Sequence, residues 1–326
     1  MIRLGILSAA HGHADAYAEV IADIEGARTV AVADDDAERG RTFADRQGIE
    51  HGAREDVLDR VDAGVVCAAN ADHADWVRAA ADAGVDVLCE KPLATSVAAG
   101  EGMVAACEDG GVTLGVAMPV RFNEPARRAK AALEAGEVGD LRAVVGTNLL
   151  RRMSPGSWFT DSDRSGGGAI MDHTVHVLDL VRWLTGEEVA EVHAESGTLF
   201  SDLAVEDTNV LSMELEDGTP VTHDGSWRQP EAWHHWGDVT LRLIGTDGVL
   251  EVDCFDQTLD HTHDTRDRGF ETVFWGSDMN EGLLRDFVGA VREGREPAVP
   301  GREGVRELQV VEAAYASVEA GEPVAV

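Results

Sequence analysis

The chain has 326 residues, 44% of them hydrophobic, so it is long enough for two packed domains and too apolar for a disordered protein. Its 61 acidic residues outnumber its 27 basic ones and leave a formal net charge of -34. Binding to nucleic acid or to an anionic membrane is therefore disfavoured, because both require positive surface charge. No apolar run reaches the roughly 18 residues of a membrane-spanning helix.

The acidic residues are dispersed along periodic apolar segments, and only two of the basic residues are lysines, Lys91 and Lys130. This pattern favours the acidic surface of a protein from a salt-loving organism such as a haloarchaeon. The first strand candidate begins at Arg3, too close to Met1 for a signal peptide. The four cysteines form no CxxC pair, so we expect free thiols and a cytoplasmic location.

The first 118 residues alternate short apolar runs with longer amphipathic ones, which predicts βαβ units and a parallel sheet. The predicted strands are Arg3–Ser8, Thr29–Asp34, Gly64–Cys67, Asp86–Glu90 and Thr113–Met118. The predicted helices are His13–Glu25, Asp36–Gln47, Asp72–Ala83 and Ser96–Asp109. Each of these helices is followed by a glycine, as helix C-termini prefer. Residues 1–118 are therefore predicted to form a doubly wound Rossmann domain that binds a nucleotide.

After Pro119 the regular alternation of short apolar and longer amphipathic segments ends. The predicted helices are Glu124–Glu134, Ala169–Leu184, Asn280–Glu293 and Arg302–Glu319, with an irregular segment at Arg151–Gly168. The predicted strands are Leu141–Leu150, Val189–Leu199, Asp207–Leu215, Pro220–Trp227, Asp238–Ile244 and Val249–Phe255. Consecutive strands joined by short turns indicate a mainly antiparallel sheet. The chain is thus predicted to be an α/β protein with a second, α+β domain over residues 119–326.

The first strand-to-helix turn of a doubly wound domain receives the pyrophosphate of a dinucleotide. Here the turn reads Ser8-Ala9-Ala10-His11-Gly12-His13. Small residues permit close backbone approach, but the match to GxGxxG is poor, and a tight turn without a ligand explains it equally well.

The second predicted strand ends in Asp34-Asp35-Asp36. A carboxylate here would accept hydrogen bonds from the adenosine ribose and repel a 2′-phosphate, which favours NAD over NADP. In so acidic a chain a single carboxylate is weak support, whereas three in succession after an apolar strand are stronger.

The fourth predicted strand runs into Glu90-Lys91-Pro92, at the edge of the sheet where ligands bind. The alternative is a surface lysine in a loop. We favour a functional role, because the chain uses lysine twice against 25 arginines, and an ammonium with a tunable pKa suits acid–base chemistry better than a guanidinium.

The apolar helix after Gly166–Gly168 carries one polar stripe, formed by Asp172, His176 and Asp179. Residues four apart share a helix face. Such a pair is more often a solvated face than a site, but this helix is too apolar for the surface, and the glycine run lets its start approach another group closely.

Three sets of motifs follow one another along the chain. They are Glu90-Lys91-Pro92; Gly166–Gly168 with Asp172 and His176; and Leu284-Arg285-Asp286-Phe287 through Arg295-Glu296-Pro297 to Val310-Val311-Glu312-Ala313-Ala314-Tyr315. In this order and spacing they resemble the glucose-fructose oxidoreductase/inositol dehydrogenase (Gfo/Idh/MocA) family over essentially the whole chain.

The resemblance implies hydride transfer between NAD(H) and a sugar, polyol or related carbohydrate, with Lys91, Asp172 and His176 as the catalytic residues. It implies an open-faced sheet that forms a homodimer or homotetramer. The cofactor contacts that we predict are Ser8, Ala9, Ala10, His11, Gly12, His13, Asp34, Asp35, Ala69, Asn70, His73, Glu90 and Lys91. The first turn departs from the family pattern because Ser8, Ala10 and His13 replace glycines, which could place His11 or His13 near the substrate.

The residue types suggest a mechanism. His176 would accept the substrate hydroxyl proton as a general base, and Lys91 would stabilise the developing alkoxide. Asp172 would orient the substrate or stabilise charge on its neighbours.

The predicted substrate contacts are Lys91, Arg121, Trp158, Asp172, His173 and His176. Less certain candidates in loops or at strand ends are Arg164, Trp227, Trp233, His234, His235 and Trp236, although most tryptophans are core residues. The pairs His234-His235 and His261-Thr262-His263 could suggest a metal. No carboxylate or cysteine stands at a recognised ligand spacing from them, so we predict no metal site.

Two other functions stay open. A non-catalytic NAD-binding sensor of the same fold would not need a proton acceptor beside a lysine. NAD-assisted elimination or glycosidic cleavage would retain its cofactor unconsumed.

The charge of -34 predicts a dependence on salt. Repulsion between exposed carboxylates penalises the folded state at low ionic strength, and raising salt from 0.1 M to 1 M shortens the screening length from roughly 10 Å to about 3 Å. The thermal midpoint and the activity should therefore rise towards molar KCl. A melt series with urea-matched controls tests this, and a flat or falling midpoint would contradict the halophile interpretation.

Overall fold

The computed structural model describes residues 1–230, 232–233, 237–262, 270–274 and 276–326. The strands of the first domain are β1 (Ile2–Leu7), β2 (Ala27–Ala33), β3 (Glu50–Gly52), β4 (Ala63–Val66), β5 (Asp86–Cys89) and β6 (Leu114–Val116). Its helices are α1 (His13–Ala22), α2 (Ala37–Gln47), α3 (Arg54–Leu58), α4 (His73–Asp82) and α5 (Val97–Gly110).

The first sheet is parallel and has the strand order β3-β2-β1-β4-β5-β6. The order reverses between β1 and β4, which pair from Leu4 with Ala63 to Leu7 with Val66. Ligands of such sheets bind at the carboxyl ends of the strands beside this reversal. The turns after β1, β2, β4 and β5 therefore face one candidate site.

The predicted Rossmann domain is confirmed, with element ends displaced by at most three residues. The sequence prediction missed β3 and α3, because elements of three and five residues are too short to carry a recognisable hydrophobic period.

The second domain continues the chain after a 3₁₀ turn at Pro119–Phe122. Its strands are β7 (Leu141–Thr147), β8 (Val189–Gly197), β9 (Thr208–Leu215), β10 (Pro220–Asp224), β11 (Thr240–Gly245), β12 (Val249–Asp253), β13 (Thr258–Thr262), β14 (Phe270–Phe274) and β15 (Val324–Ala325). Its helices are α6 (Glu124–Glu134), α7 (Ser162–Ser165), α8 (Ala169–Thr185), α9 (Met279–Glu293) and α10 (Gly301–Ala320).

The second sheet has the order β12-β11-β7-β10-β9-β8-β15, and β13 pairs with β14 separately. All neighbours in the larger sheet are antiparallel except β7 and β10, so the predicted α+β domain is confirmed. One face of this sheet packs under α8, which is buried over most of its length.

Three strands of this sheet end at the same level. Thr147 at the end of β7 pairs with Asp224 at the end of β10 and with Thr240 at the start of β11. The strands predicted at 141–150, 220–227 and 238–244 are therefore shorter than expected. Beyond the paired residues Thr147, Asp224 and Thr240, the backbone leaves the sheet. The segment that leaves β7 reaches the first domain, where the Trp158 Nε1 donates to the Ala10 carbonyl at 3.1 Å.

The last two long helices pack against both domains. The Val116 N–H of β6 donates to the Val299 carbonyl at 2.9 Å, just before α10. α10 contacts α5 as well as α8 and β8, and α9 contacts α1. The boundary predicted at residue 118 thus separates the two sheets, whereas α9 and α10 join them.

All four cysteines are buried and unpaired, as the spacing predicted. Across the described ranges, no helix combines the length and apolarity that crossing a bilayer requires.

A buried group of charges links α8, α10 and the 3₁₀ turn. Arg121 donates to both oxygens of Asp179, at 2.7 and 2.8 Å. Glu307 of α10 is 1% exposed beside them. Burial, followed by the nearby Asp179 charge, raises the pKa of Glu307 well above its usual value. A protonated Glu307 removes one negative charge from a core that also holds the guanidinium of Arg182.

We predict that Arg121→Met destabilises the fold strongly, on the order of 3–5 kcal/mol, because it removes the guanidinium that pairs directly with the buried Asp179 carboxylate. Urea unfolding measures this change. The matched control is Arg128→Met, whose pair with Glu124 is exposed and whose loss should change the midpoint little. Equal midpoints for the two variants would contradict a structural role for Arg121.

Candidate active site

The turn between β1 and α1 carries most of its hydrogen bonds within the chain. Ser8 has a φ of 65°, the left-handed region that glycine tolerates best. The backbone N–H groups of Ala9, Ala10, His11 and His13 donate to Asp34 Oδ2, Ser8 Oγ, the Cys67 carbonyl and His11 Nδ1. The turn is therefore rigid even though it lacks most of the expected glycines.

Gly12 is the open position in this turn. Within the described part of the chain its N–H has no partner, and a Cβ at this position would meet nothing within 4 Å. Gly12 directly precedes the first residue of α1, and the first amides of a helix attract anions. The turn thus keeps one free donor and open space where a dinucleotide pyrophosphate would bind.

Asp34 lies at the end of β2, as predicted, but its carboxylate is already engaged. Arg39 donates to Asp34 Oδ2 at 2.9 Å and to Oδ1 at 2.6 Å, and backbone N–H groups of Ala9 and Asp36 add one bond to each oxygen. Asp35 pairs with Arg54 at 2.9 Å. The predicted negative charge at this end of the site is thus partly balanced, which sequence order alone did not reveal.

Glu90, at the end of β5, lies against the first turn. Its carboxylate is fully buried and is 2.8 Å from His13 Nδ1 and 3.9 Å from His11 Nδ1. Burial would raise the pKa of Glu90, but the neighbouring His13 and His11 hold it below its usual value. Burial lowers the pKa of His11 to about 3, against the attraction of Glu90, so His11 is neutral at neutral pH.

Lys91 crosses from the first domain to α8 of the second. Its Nζ donates to Asp172 Oδ1 at 2.6 Å and to the Asp172 carbonyl at 2.9 Å. The two side chains are 5% and 7% exposed. Burial would raise the pKa of Asp172, but His173 and Lys91 together lower it, so the pair is ionic. The structure therefore brings together two of the three predicted catalytic residues.

His176 lies one helical turn beyond Asp172 on α8 and is 6% exposed. Burial, then the charge of Lys91, lowers the pKa of His176 well below its usual value. Its Nδ1 is buried without a hydrogen-bond partner among the described residues. The neighbouring His173 instead contacts the Asn148 carbonyl through Nδ1 and Asp172 Oδ2 through Nε2, each at 3.2 Å.

The start of α8 is fixed by Glu206, which the sequence prediction missed. The Gly168 and Ile170 N–H groups donate to its carboxylate at 3.0 and 3.1 Å, and the Tyr315 hydroxyl donates at 2.8 Å. A Cβ at Gly167 or Gly168 would collide with Tyr315 or Glu206. The glycine run therefore permits close approach, as predicted, and its partners are these two residues. In a chain with 61 acidic residues, no signal in the sequence distinguished Glu206.

The segment after β4 contributes two predicted cofactor contacts, Asn70 and His73. Asn70 follows Ala69 and donates from Nδ2 to the Ser165 carbonyl at 2.8 Å, and its Oδ1 is buried without a partner. His73 is fully buried, and its Nδ1 is 3.1 Å from the Pro92 carbonyl. The prediction of His73 as a cofactor contact does not fit this burial, because the ring supports the loop after Lys91 instead.

Trp158 covers the first turn from the second domain. Its Nε1 donates to the Ala10 carbonyl at 3.1 Å, and its ring stacks on Phe159 with centroids 3.8 Å apart. The His11 ring lies 5.3 Å from Phe159. Trp158 therefore lies beside the predicted cofactor and substrate residues, and Phe159 joins it as a residue that the sequence prediction missed.

Arg121 does not join these groups, because Asp179 holds its guanidinium in the core. The prediction of Arg121 as a substrate contact therefore does not fit its position. Trp227 is also in the core, packed with Leu150, Ala169 and Val205. The positions of His234, His235, Trp236 and His263, and the side chain of His261, lie outside the described residues.

Comparisons with known proteins agree with this architecture. Residues 3–118 match the model of an oxidoreductase family with an NAD-binding Rossmann fold, and residues 126–251 match that of the GFO/IDH/MocA C-terminal domain. D-xylose 1-dehydrogenase (NADP(+)) 2 of Haloferax volcanii is 33% identical over 89% of this chain and 90% of its own. Myo-inositol 2-dehydrogenase of Thermotoga maritima is 28% identical over 93% and 92%.

Among solved structures, GenD2 from gentamicin A biosynthesis, in complex with NAD, matches this fold with a TM-score of 0.91. It is 26% identical to this chain, and the match covers 100% of this chain and 96% of GenD2. The chain belongs to the Gfo/Idh/MocA family of oxidoreductases. It is an enzyme of the dehydrogenase class whose first domain is the family's NAD-binding domain.

The left-handed Ser8 generates a prediction about this domain. Ser8→Gly should leave the thermal midpoint nearly unchanged, because the positive φ costs glycine nothing and this relief offsets the lost hydrogen bond from the Ala10 N–H to Ser8 Oγ. Ser8→Val should destabilise by on the order of 2 kcal/mol, since a β-branched residue is strained there. Ser96→Gly is the control, because Ser96 has a φ of -156° and gains no such relief. Ser8→Gly and Ser8→Val destabilising the protein equally would contradict the argument.

Proposed function

We propose that the protein transfers a hydride between NAD(H) and a hydroxyl-bearing carbon of a sugar, polyol or related carbohydrate. The observation that carries the proposal is the convergence of Lys91 and Asp172 from two domains, with His176 one helical turn further along α8. The relatives named as xylose and inositol dehydrogenases support the substrate class.

Lys91 is the group that would contact the reacting oxygen. An ammonium has three N–H donors, and Asp172 accepts from Nζ through its Oδ1 and its carbonyl. The remaining donor is available to the substrate hydroxyl. In the oxidative direction it would stabilise the alkoxide that develops as the proton leaves. Asp172 fixes the direction of the ammonium.

His176 would accept that hydroxyl proton. Its lowered pKa keeps the imidazole neutral at neutral pH, and a neutral ring is the form that acts as a base. His173 is less suited to this role because both of its nitrogens contact protein oxygens. In the reductive direction His176 would return the proton and Lys91 would polarise the carbonyl.

The residues that would hold the cofactor follow the carboxyl edge of the first sheet. The Gly12 amide would take a phosphate oxygen, and Asp35, whose side chain is exposed at the end of β2, would accept a ribose hydroxyl. Asn70, whose Oδ1 has no partner, offers an acceptor nearer the catalytic residues. When bound, NAD supplies the hydride acceptor for alcohol oxidation.

We retain the prediction of a homodimer or homotetramer formed through the second sheet. Supporting it, Val145 of β7 and Val210 of β9 are 43% and 51% exposed. A second copy could cover these apolar side chains.

We predict that Lys91→Ala and His176→Ala each lower kcat/KM by on the order of 10² or more, because each removes a group needed in the transition state. Lys91→Arg should also fail, since the guanidinium fork has a different shape and a much higher pKa. The assay follows absorbance at 340 nm in high salt with inositols, aldoses, anhydrosugars and sugar acids. Lys130→Ala on α6 is the control for loss of a lysine.

The pH dependence of kcat/KM tests whether His176 acts as the base or only positions the substrate. Because the pKa of His176 lies well below its ordinary value of 6.5, kcat/KM for oxidation should hold as pH falls through 6.5 and decline only below it. Near-normal turnover of either alanine variant on a confirmed substrate would remove that residue from the proposed mechanism. Binding of NAD by the unmodified protein without turnover of any substrate would favour the sensor function instead. Product formation without net cofactor reduction would favour NAD-assisted elimination or cleavage.

We predict that NADH binds more tightly than NADPH, because the carboxylates of Asp34 and Asp35 at the end of β2 would repel a 2′-phosphate. Arg39 offsets part of that repulsion, so the preference should be modest, on the order of tenfold, or about 1.4 kcal/mol. Arg39→Gln should widen the ratio of the two dissociation constants and Asp34→Asn should narrow it. Fluorescence titration in matched salt measures both dissociation constants. Tighter binding of NADPH than of NADH by the unmodified protein would contradict the prediction.

A further inference from the structure

Two histidines of the first turn and the carboxylate before the catalytic lysine form a cluster. One potential ligand atom from each of His11, His13 and Glu90 lies within 4.8 Å of the others. Glu90 Oε1 is 2.8 Å from His13 Nδ1 and 3.9 Å from His11 Nδ1. The histidines are two residues apart in the chain and Glu90 is 77 residues beyond His13, so only the pairing of β1, β4 and β5 brings them together.

The charge of this cluster is not balanced by a fixed cation. Glu90 is fully buried, and the Lys91 backbone N–H at 3.0 Å and the Tyr17 hydroxyl donate to it. Neither donor carries a charge, and a buried carboxylate is stabilised further by a positive partner. Within the described ranges its ion pairs are with His11 and His13 only. Lys91 is adjacent in sequence, but its ammonium is held by Asp172.

The side chains have the chemistry of a transition-metal site. Two imidazoles and one carboxylate suit Zn²⁺ and related divalent ions, and three protein ligands leave a coordination position open. His11 is 7% exposed, whereas the His13 side chain is 40% exposed and leaves a route for an ion. The proton between His13 and Glu90 would be displaced on binding, as metals displace protons from their ligands. The hydrogen bond from the backbone N–H of His13 to His11 Nδ1 would also break if that nitrogen ligates the ion.

We propose that His11, His13 and Glu90 bind one divalent transition-metal ion, with Zn²⁺ as the favoured occupant. This revises the sequence-based prediction of no metal site, because ligands 77 residues apart in the chain show no recognised spacing. The ion sits beside the catalytic residues, since Glu90 precedes Lys91 and His13 is close enough to act electrostatically on His176. Its open position takes a hydroxyl oxygen of the substrate. This last role rests on the proposed function, whereas ion binding itself does not.

The test uses the full-length protein after chelation and dialysis, in molar KCl so that weak binding to the acidic surface is screened. Titration with Co²⁺ is followed by visible absorbance, and Zn²⁺ competes with it. We expect one saturable site per chain. His13→Gln and Glu90→Gln should each weaken Co²⁺ binding by more than the roughly 10- to 100-fold that loss of an outer-shell partner costs, because each removes one of three ligands. Zn²⁺ should raise the thermal midpoint of the unmodified protein at a concentration that leaves both variants unchanged.

The matched controls are His193→Gln and Glu195→Gln on β8, far from the cluster in sequence, and both should bind Co²⁺ normally. His13 is partly exposed, so His13→Gln should fold even if Glu90→Gln does not; circular dichroism checks both. Absence of a saturable site, or a site that survives both cluster substitutions, would overturn the proposal. Normal ion binding without turnover on any substrate would instead count against the proposed function.

Discussion

The ion pair between Lys91 and Asp172 is the contact on which the site depends. Lys91 comes from the end of a parallel strand and Asp172 from the first turn of a helix in the other domain, and their side chains meet at 2.6 Å. Both side chains are nearly excluded from water, so either charge would strongly destabilise the fold if its partner were absent. The pair therefore sets the position of α8 relative to the first sheet, and with it the position of His176.

The same constraint explains the structure around the pair. Glu206 and Tyr315 hold the start of α8, His73 supports the loop after Lys91, and α9 and α10 pack across both domains. Each of these contacts resists a shift of one catalytic partner against the other. A 1 Å error in such an arrangement can cost two orders of magnitude in rate, which gives a physical reason for so many contacts between the domains.

The turn between β1 and α1 differs from the glycine-rich turn that a dinucleotide-binding domain usually has. Its departure from a glycine-rich sequence leaves Ser8 in a left-handed conformation and places two imidazoles beside the buried Glu90. Most of the turn's amides donate within the chain, so Gly12 carries the free donor towards an anion. The turn therefore combines a reduced phosphate site with a cluster of His and Glu side chains that a glycine-rich turn could not form.

The sequence determined the order of the elements, the two sheets and the motif positions of Lys91, Asp172 and His176, because hydrophobic period and glycine placement are local properties. The tertiary structure decided what those residues contact. Arg121 and His73 carried the right chemistry, yet burial commits them to Asp179 and to the Pro92 carbonyl. Glu206 had no local signal, and Asp34 gained an arginine partner. Charge compensation depends on distances between residues remote in the chain. The pairing of parallel strands sets those distances, and no short segment of sequence specifies that pairing.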